Sequence, residues 1–241
     1  MEENTPVLHQ YPISPFAAKV RRVFHHQGRA FRTRNYRLTE LRAVRRISPS
    51  GKLPALETDG RLIVDSTEIV HHLDRPGTDS LFPEDPHLRA MVHVLEDWAD
   101  ESLYFYDLTM RTWPHNVPLL ADDLTIEDRG WARAFFHRII PGAIRRQATA
   151  QGLGRKSPAE ICREVERHFD ALEAFLSAED FLVGGRLTMA DIAVVSMCTV
   201  LDRAREASEA MARRPRLSAW RARMDERTLP ADTPPDQRAL A

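Results

Sequence analysis

Residues 76–86 interrupt the sequence with three prolines and a glycine among acidic and hydroxyl side chains, broken only by Leu81-Phe82. Before this break, short apolar runs alternate with helical patterns. After it, every pattern is helical. A chain divided in this way is expected to fold as a small α/β unit followed by an all-helical one, and 241 residues are enough for both. The expected boundaries are 1–76 for the first unit, 77–86 for a linker, and 87–225 for the helical unit. A loosely packed tail is expected over 226–241, where prolines are frequent and apolar residues few.

In the first unit, residues 6–10 suit a strand. Ser14-Pro15 then opens a helix, with serine at the N-cap and proline at the first helical position. Phe16, Val20, Val23 and Phe24 recur at helical spacing up to Gly28. Residues 30–36 suit a second strand and 39–47 a short helix. Residues 54–58 and 61–64 flank Asp59-Gly60, the strongest short hairpin signal. Asp65-Ser66-Thr67-Glu68 opens a third helix reaching about residue 75. The order is β-α-β-α-β-β-α, with the first two strands parallel across a helix and the last two an antiparallel hairpin.

In the second unit, Met91, Val94, Leu95, Trp98 and Phe105 form one helical stripe. Trp131, Phe135, Ile139 and Ile140 form another, and Ile161, Val165, Phe169, Leu172 and Phe175-Leu176 a third. Residues 189–201 are apolar almost all round, which marks a helix buried at the centre of a bundle.

The charge balance, 34 basic against 35 acidic residues, lacks the concentrated positive field of a nucleic-acid binder. The arginines are spread among acids and read as a solvated mixed surface. Cys162 and Cys198 lie inside apolar helical patterns and read as free buried thiols. No apolar run approaches the ~18 residues of a membrane span, and residues 1–4 lack the features of a leader. A cytoplasmic, reducing setting is the expectation. The pairs His25-His26 and His71-His72 invite a metal, but adjacent helical residues point about 100° apart, so no metal is expected.

Three local motifs carry chemistry. Ser14-Pro15-Phe16 begins a helix whose first turn offers unpaired N–H groups and the positive end of a dipole, which stabilise a sulfur anion. Taken alone, Ser14 reads first as an ordinary N-cap. In Gly51-Lys52-Leu53-Pro54, a cis Leu53-Pro54 bond would present the Leu53 backbone to an extended peptide as an added strand does; a trans proline starting a strand is the plain alternative. Asp65-Ser66 opens a helix whose amides suit a carboxylate, while Asp65 can accept from an amino group; a capping box with Glu68 accounts for the same residues. In this order the motifs meet a thiol, a peptide backbone and an α-amino acid end. Glutathione has all three.

With these residues assembled, the chain resembles the cytosolic glutathione transferase superfamily from about residue 6 to 225. Tyr11-Pro12-Ile13-Ser14-Pro15-Phe16 followed by Lys19-Val20-Arg21 is similar to serine-type members such as the tau class; omega-like members place a cysteine where Ser14 stands. Gly51-Lys52-Leu53-Pro54 resembles the family's cis-proline segment, and Asp65-Ser66 its γ-glutamyl site. Glu96-Asp97-Trp98-Ala99-Asp100 is similar to its fourth helix, and Leu187-Thr188-Met189-Ala190-Asp191-Ile192 to its capping box and hydrophobic staple. The segment 113–156 departs from the familiar pattern.

The resemblance implies a thioredoxin-like N-terminal domain, a C-terminal helical bundle and a homodimer. It implies glutathione as substrate, conjugated to a hydrophobic electrophile in a detoxification reaction. Ser14 would stabilise the thiolate, with Lys52, Leu53, Pro54, Asp65 and Ser66 binding glutathione. Phe16, Tyr106 and Arg111 are candidates for the electrophile pocket, and Tyr11 and Tyr106 for an alternative hydroxyl donor. Two other readings remain open: a glutathione-dependent cis-trans isomerase of maleyl compounds, and a non-catalytic module that keeps the fold.

Overall fold

A computed structural model describes residues 5–75, 77, 80–234 and 237–240. The expected absence of a leader at residues 1–4 lies outside the described residues, as do Pro76 at the end of the first unit, Thr78 and Asp79 of the linker, and Pro235, Asp236 and Ala241 of the tail.

Strand β1 (Val7–Gln10) pairs in parallel with β2 (Arg32–Asn35), from Val7 opposite Arg32 to Gln10 opposite Asn35. Helix α1 (Pro15–His26) makes the crossover between them. Strand β3 (Ala55–Thr58) lies antiparallel on the other side of β1, and β4 (Arg61–Val64) completes the order β2-β1-β3-β4. Asp59 and Gly60 take φ of 49° and 70°, the two left-handed conformations that a two-residue hairpin turn requires.

Side-chain alternation divides the sheet between two cores. Leu8 and Leu56 join Val20, Val23 and Phe24 of α1 and Ile69, Val70 and Leu73 of α3 (Ser66–Leu73). Ala55 joins Tyr36, Leu53 and Val44, the last on α2 (Leu41–Ile47).

In the helical half, α4 (Pro86–Asp97) continues through a wider π-turn (Trp98–Leu103) into α5 (Tyr104–Arg111). There follow α6 (Val117–Leu124), α7 (Gly130–Gln151), α8 (Pro158–Phe175), α9 (Met189–Leu201), α10 (Arg205–Ala212) and α11 (Pro215–Thr228). Every residue of α9 is buried, as its all-round apolar sequence requires. Asp191 anchors its start. Its Oδ2 accepts from the Thr188 N–H and hydroxyl, both at 2.9 Å, and its Oδ1 from Leu182 N at 2.9 Å and Trp220 Nε1 at 3.0 Å.

Helix α1 joins the two halves with three buried cations, which revises the expectation of a solvated arginine surface. Lys19 Nζ reaches Glu96 at 2.9 Å and Asp100 at 2.6 Å. Arg22 donates to Asp225 and Thr228, both at 2.7 Å. Arg21 donates to Gln10 at 2.6 Å and to the Ala239 carbonyl at 3.3 Å. Arginines can be buried when their donors are met by fixed acceptors.

The described part of the tail is accordingly less loose than its composition suggests. Helix α11 extends to Thr228, Leu229 and Ala239 are buried, and Arg238 pairs with Asp225 at 3.0 Å. On α7, Trp131, Phe135 and Ile139 do follow helical spacing, yet all three are exposed on its outer side. Cys198 is buried and Cys162 half-buried, both as free thiols. Among the described residues, no helix is long and apolar enough to cross a membrane.

Candidate active site

A cleft of about 900 Å³ lies between the sheet half and the helical half. Its floor comes from the β1–α1 loop, the segment before β3 and the β4–α3 junction. Its wall comes from α4, the π-turn, α5 and the segment 113–156. That segment, unfamiliar in sequence, supplies Leu120, Asp123, Leu124, Ile126, Ile144 and Gln147.

Ser14 caps α1. Its Oγ accepts from Ala17 N at 3.4 Å, and its N–H donates to the Tyr11 carbonyl at 3.0 Å. Capping uses a lone pair of the hydroxyl and leaves its proton available for donation. The side chain is half-buried and lines the cleft, so the donor and the positive helix end face the same space. Capping α1 therefore does not use up the proton that a donor role for Ser14 would need.

The Leu53-Pro54 peptide bond is cis. Both residues are buried and line the cleft, whereas Lys52 is exposed at its edge. In the ladder, β3 begins to pair at Ala55, which leaves Leu53 beyond the last paired residue.

Asp65 caps α3, with Oδ1 accepting from Thr67 N at 2.8 Å and Glu68 N at 3.5 Å. Its φ of 83° is a left-handed conformation that costs a non-glycine residue about 1–3 kcal/mol. That conformation keeps the exposed carboxylate at the cleft while buried Ser66 begins the helix. Thr67 is held from behind, its hydroxyl donating to Glu96 at 3.0 Å and accepting from Lys19 at 3.3 Å. The Lys19 pKa is raised, because Asp100 and Glu96 outweigh the burial that opposes its charge.

On the wall, Phe16 packs edge-on against Tyr104, ring centroids 4.9 Å apart. Tyr106, expected in the electrophile pocket, does not line the cleft. Its hydroxyl donates to Glu164 at 3.0 Å on the α8 side and its ring meets His168. Tyr104 lines the cleft instead, followed by Asp107, Leu108 and Arg111. The spacing 104, 107, 108, 111 is one helical face and was the available sequence signal; Tyr106 falls on the opposite side. Burial first, then Asp107 and Glu101, pushes the Tyr104 hydroxyl up to about 12, so it remains a donor. Arg111 is buried in the wall and donates to Asp123. Tyr11 lines the floor, and burial followed by Asp128 and Glu40 raises its pKa.

Comparison with known proteins identifies the family. Residues 8–76 match the N-terminal domain of glutathione S-transferase, and residues 144–223 match its C-terminal domain. The chain belongs to the cytosolic glutathione transferase superfamily. Among its relatives, an isoprene-epoxide glutathione S-transferase of Rhodococcus sp. strain AD45 is 26% identical over 194 residues, 76% of this chain and 78% of the relative. LigF of Sphingobium sp. strain SYK-6 is 27% identical over 166 residues, 66% of this chain and 63% of LigF. The crystal structure of LigF, described as a beta-etherase, superposes with a TM-score of 0.66 at 24% identity, over 92% of this chain and 95% of that one. A rice glutathione transferase solved with glutathione gives 0.65 at 24%, over 98% and 94%. At these identities the superpositions establish the fold.

Among the described residues no group of three or more His, Cys, Asp or Glu side chains could hold a metal ion. His71 instead stacks on Phe82 with ring centroids 4.4 Å apart.

Proposed function

We propose that this chain binds glutathione along the floor of the cleft, stabilises its thiolate at Ser14 and conjugates it to an electrophile held against the helical wall. The observation that carries the reading is the convergence of three features on one cleft. These are the Ser14 hydroxyl at the start of α1, the Leu53 backbone outside the ladder, and Asp65-Ser66 at the start of α3. Their order suits sulfur, cysteinyl backbone and γ-glutamyl end of one extended tripeptide, with Lys52 at the edge for the glycine carboxylate.

An ordinary thiol, pKa about 8.5, is only a few per cent ionised at pH 7. Lowering it by about two units corresponds to about 2.7 kcal/mol, which a hydroxyl donor and helix-terminal amides can supply. The thiolate sulfur then forms a bond to carbon as the bond from that carbon to its leaving group breaks. Ser14 donates a hydrogen bond throughout and does not transfer its proton. The names of the two relatives favour a carbon bonded to oxygen, in an epoxide or ether, as the electrophilic centre; the departing oxygen takes up a proton equivalent to the one the thiol released.

Ultraviolet titration of the thiolate in the protein–glutathione complex tests the reading. The bound thiol should titrate well below its value in free glutathione, and Ser14→Ala should return it most of the way while calorimetry still detects binding. An unperturbed thiol in the wild-type complex would overturn the role of Ser14, and absence of binding would overturn the whole reading.

A further inference from the structure

The wall of the cleft contains a buried charge cluster with one unmet need. Arg111 and Arg203 both donate to Asp123, and Arg203 does so to both carboxylate oxygens. Asp107, one turn before Arg111, accepts no hydrogen bond among the described residues. It is 3% exposed, its Oδ1 has no partner, and its nearest cation, Arg111 Nε, stands 4.0 Å away and has none either. Both residues line the cleft. Burying a carboxylate without hydrogen bonds costs several kcal/mol, so such a group in a native interior calls for an ordered water, a ligand or a function.

We propose that this part of the cleft selects electrophiles bearing a hydroxyl group, alcohol or phenol, which donates its hydrogen bond to Asp107. The assignment rests on the glutathione reading above and specifies its second substrate. The cluster is balanced, Asp107 and Asp123 against Arg111 and Arg203, so it offers a cationic substrate little net attraction. A hydroxyl is the neutral group that can supply the donor Asp107 lacks. Burial, moderated by Arg111, holds the Asp107 pKa up to about 6, consistent with a carboxylate lacking hydrogen bonds. A site built to pair a substrate hydroxyl discriminates strongly against the analogue without one, because its own polar groups are then left unpaired.

Binding of S-benzylglutathione and its ortho, meta and para hydroxymethyl derivatives, measured by calorimetry beside glutathione itself, tests the proposal. At least one isomer should bind wild-type protein about tenfold tighter than the parent. In Asp107→Leu that ratio should fall to about one, and in Asp107→Asn, which keeps the side-chain shape if the leucine variant does not fold, it should shrink markedly. If no isomer exceeds the parent in wild type, or if the gain survives both substitutions, Asp107 has a structural role only and the proposal is wrong. If glutathione itself does not bind, the glutathione reading fails first and takes this one with it.

Discussion

Lys19 Nζ on α1 lies 2.6 Å from Asp100 Oδ2 in the π-turn, with the lysine side chain wholly inaccessible to solvent. Glu96 at 2.9 Å and Thr67 at 3.3 Å complete its surroundings. One ammonium group therefore ties together the helix that begins at Ser14, the helix that begins at Asp65-Ser66, and the wall of the cleft.

Removing that ammonium leaves two buried carboxylates facing each other. Lys19→Met should lower unfolding free energy by roughly 3–5 kcal/mol, the usual cost of breaking a buried ion pair from one side. Urea denaturation measures it; a loss under about 1 kcal/mol would show the pair to be far better solvated than its burial implies.

Asp65 invites separation of charge from backbone shape. Asparagine keeps the shape of the aspartate side chain and can still cap α3. Asp65→Asn should therefore keep stability within about 1 kcal/mol while raising KM for glutathione roughly tenfold or more, with a smaller effect on kcat. A KM unchanged by the substitution would detach this carboxylate from the γ-glutamyl amine.

Tyr106→Phe serves as a contrast. Its hydroxyl serves Glu164 outside the cleft, so steady-state kcat/KM should stay within about twofold of wild type, and stability should fall by about 1 kcal/mol for one lost hydrogen bond. A drop of a hundredfold in kcat/KM would return Tyr106 to the active site.

Asp107 gives a signed pH dependence. Its folded-state pKa is raised from 3.8 to about 6, so the folded protein holds this proton more tightly than the unfolded chain does. The stability that the group contributes is complete below about pH 4 and is lost as pH rises through about 6. Asp107→Asn should consequently show no advantage at pH 4 and a gain approaching about 3 kcal/mol above pH 7. Thermal and denaturant midpoints across pH 4–8 would reveal it, and an equal effect at both ends would exclude titration of Asp107 as the source.

The features legible in the sequence were the local ones. Ser14-Pro15, Asp59-Gly60 and Thr188 with Asp191 specify caps and a turn from a few adjacent residues, and the structure places a cap or turn at each. Contacts over long sequence distance were not legible. Lys19 finds Glu96 77 residues away, and Arg22 finds Asp225 203 residues away, so neither reads as buried from its neighbours. The cleft wall was hidden for a different reason. A π-turn rotates all that follows by about 100° per inserted residue, and with it the decision of which tyrosine faces the cleft. Tyr104 faces it and Tyr106 does not. Asp123 lies on α6, in a segment whose placement depends on packing against α5 and α7.

Helix α1 works like a common axle. Its first turn lies at the proposed sulfur site, and its length is bolted by Lys19 and Arg22 into the opposite half of the molecule. Neither half can swing or slide without carrying that first turn along, so the two reactant seats are held in mutual alignment by a single rigid part. Changes that reshape the far wall for a new electrophile can therefore accumulate in α5, α6 and α7, while the alignment of attacking atom and target stays under the control of α1.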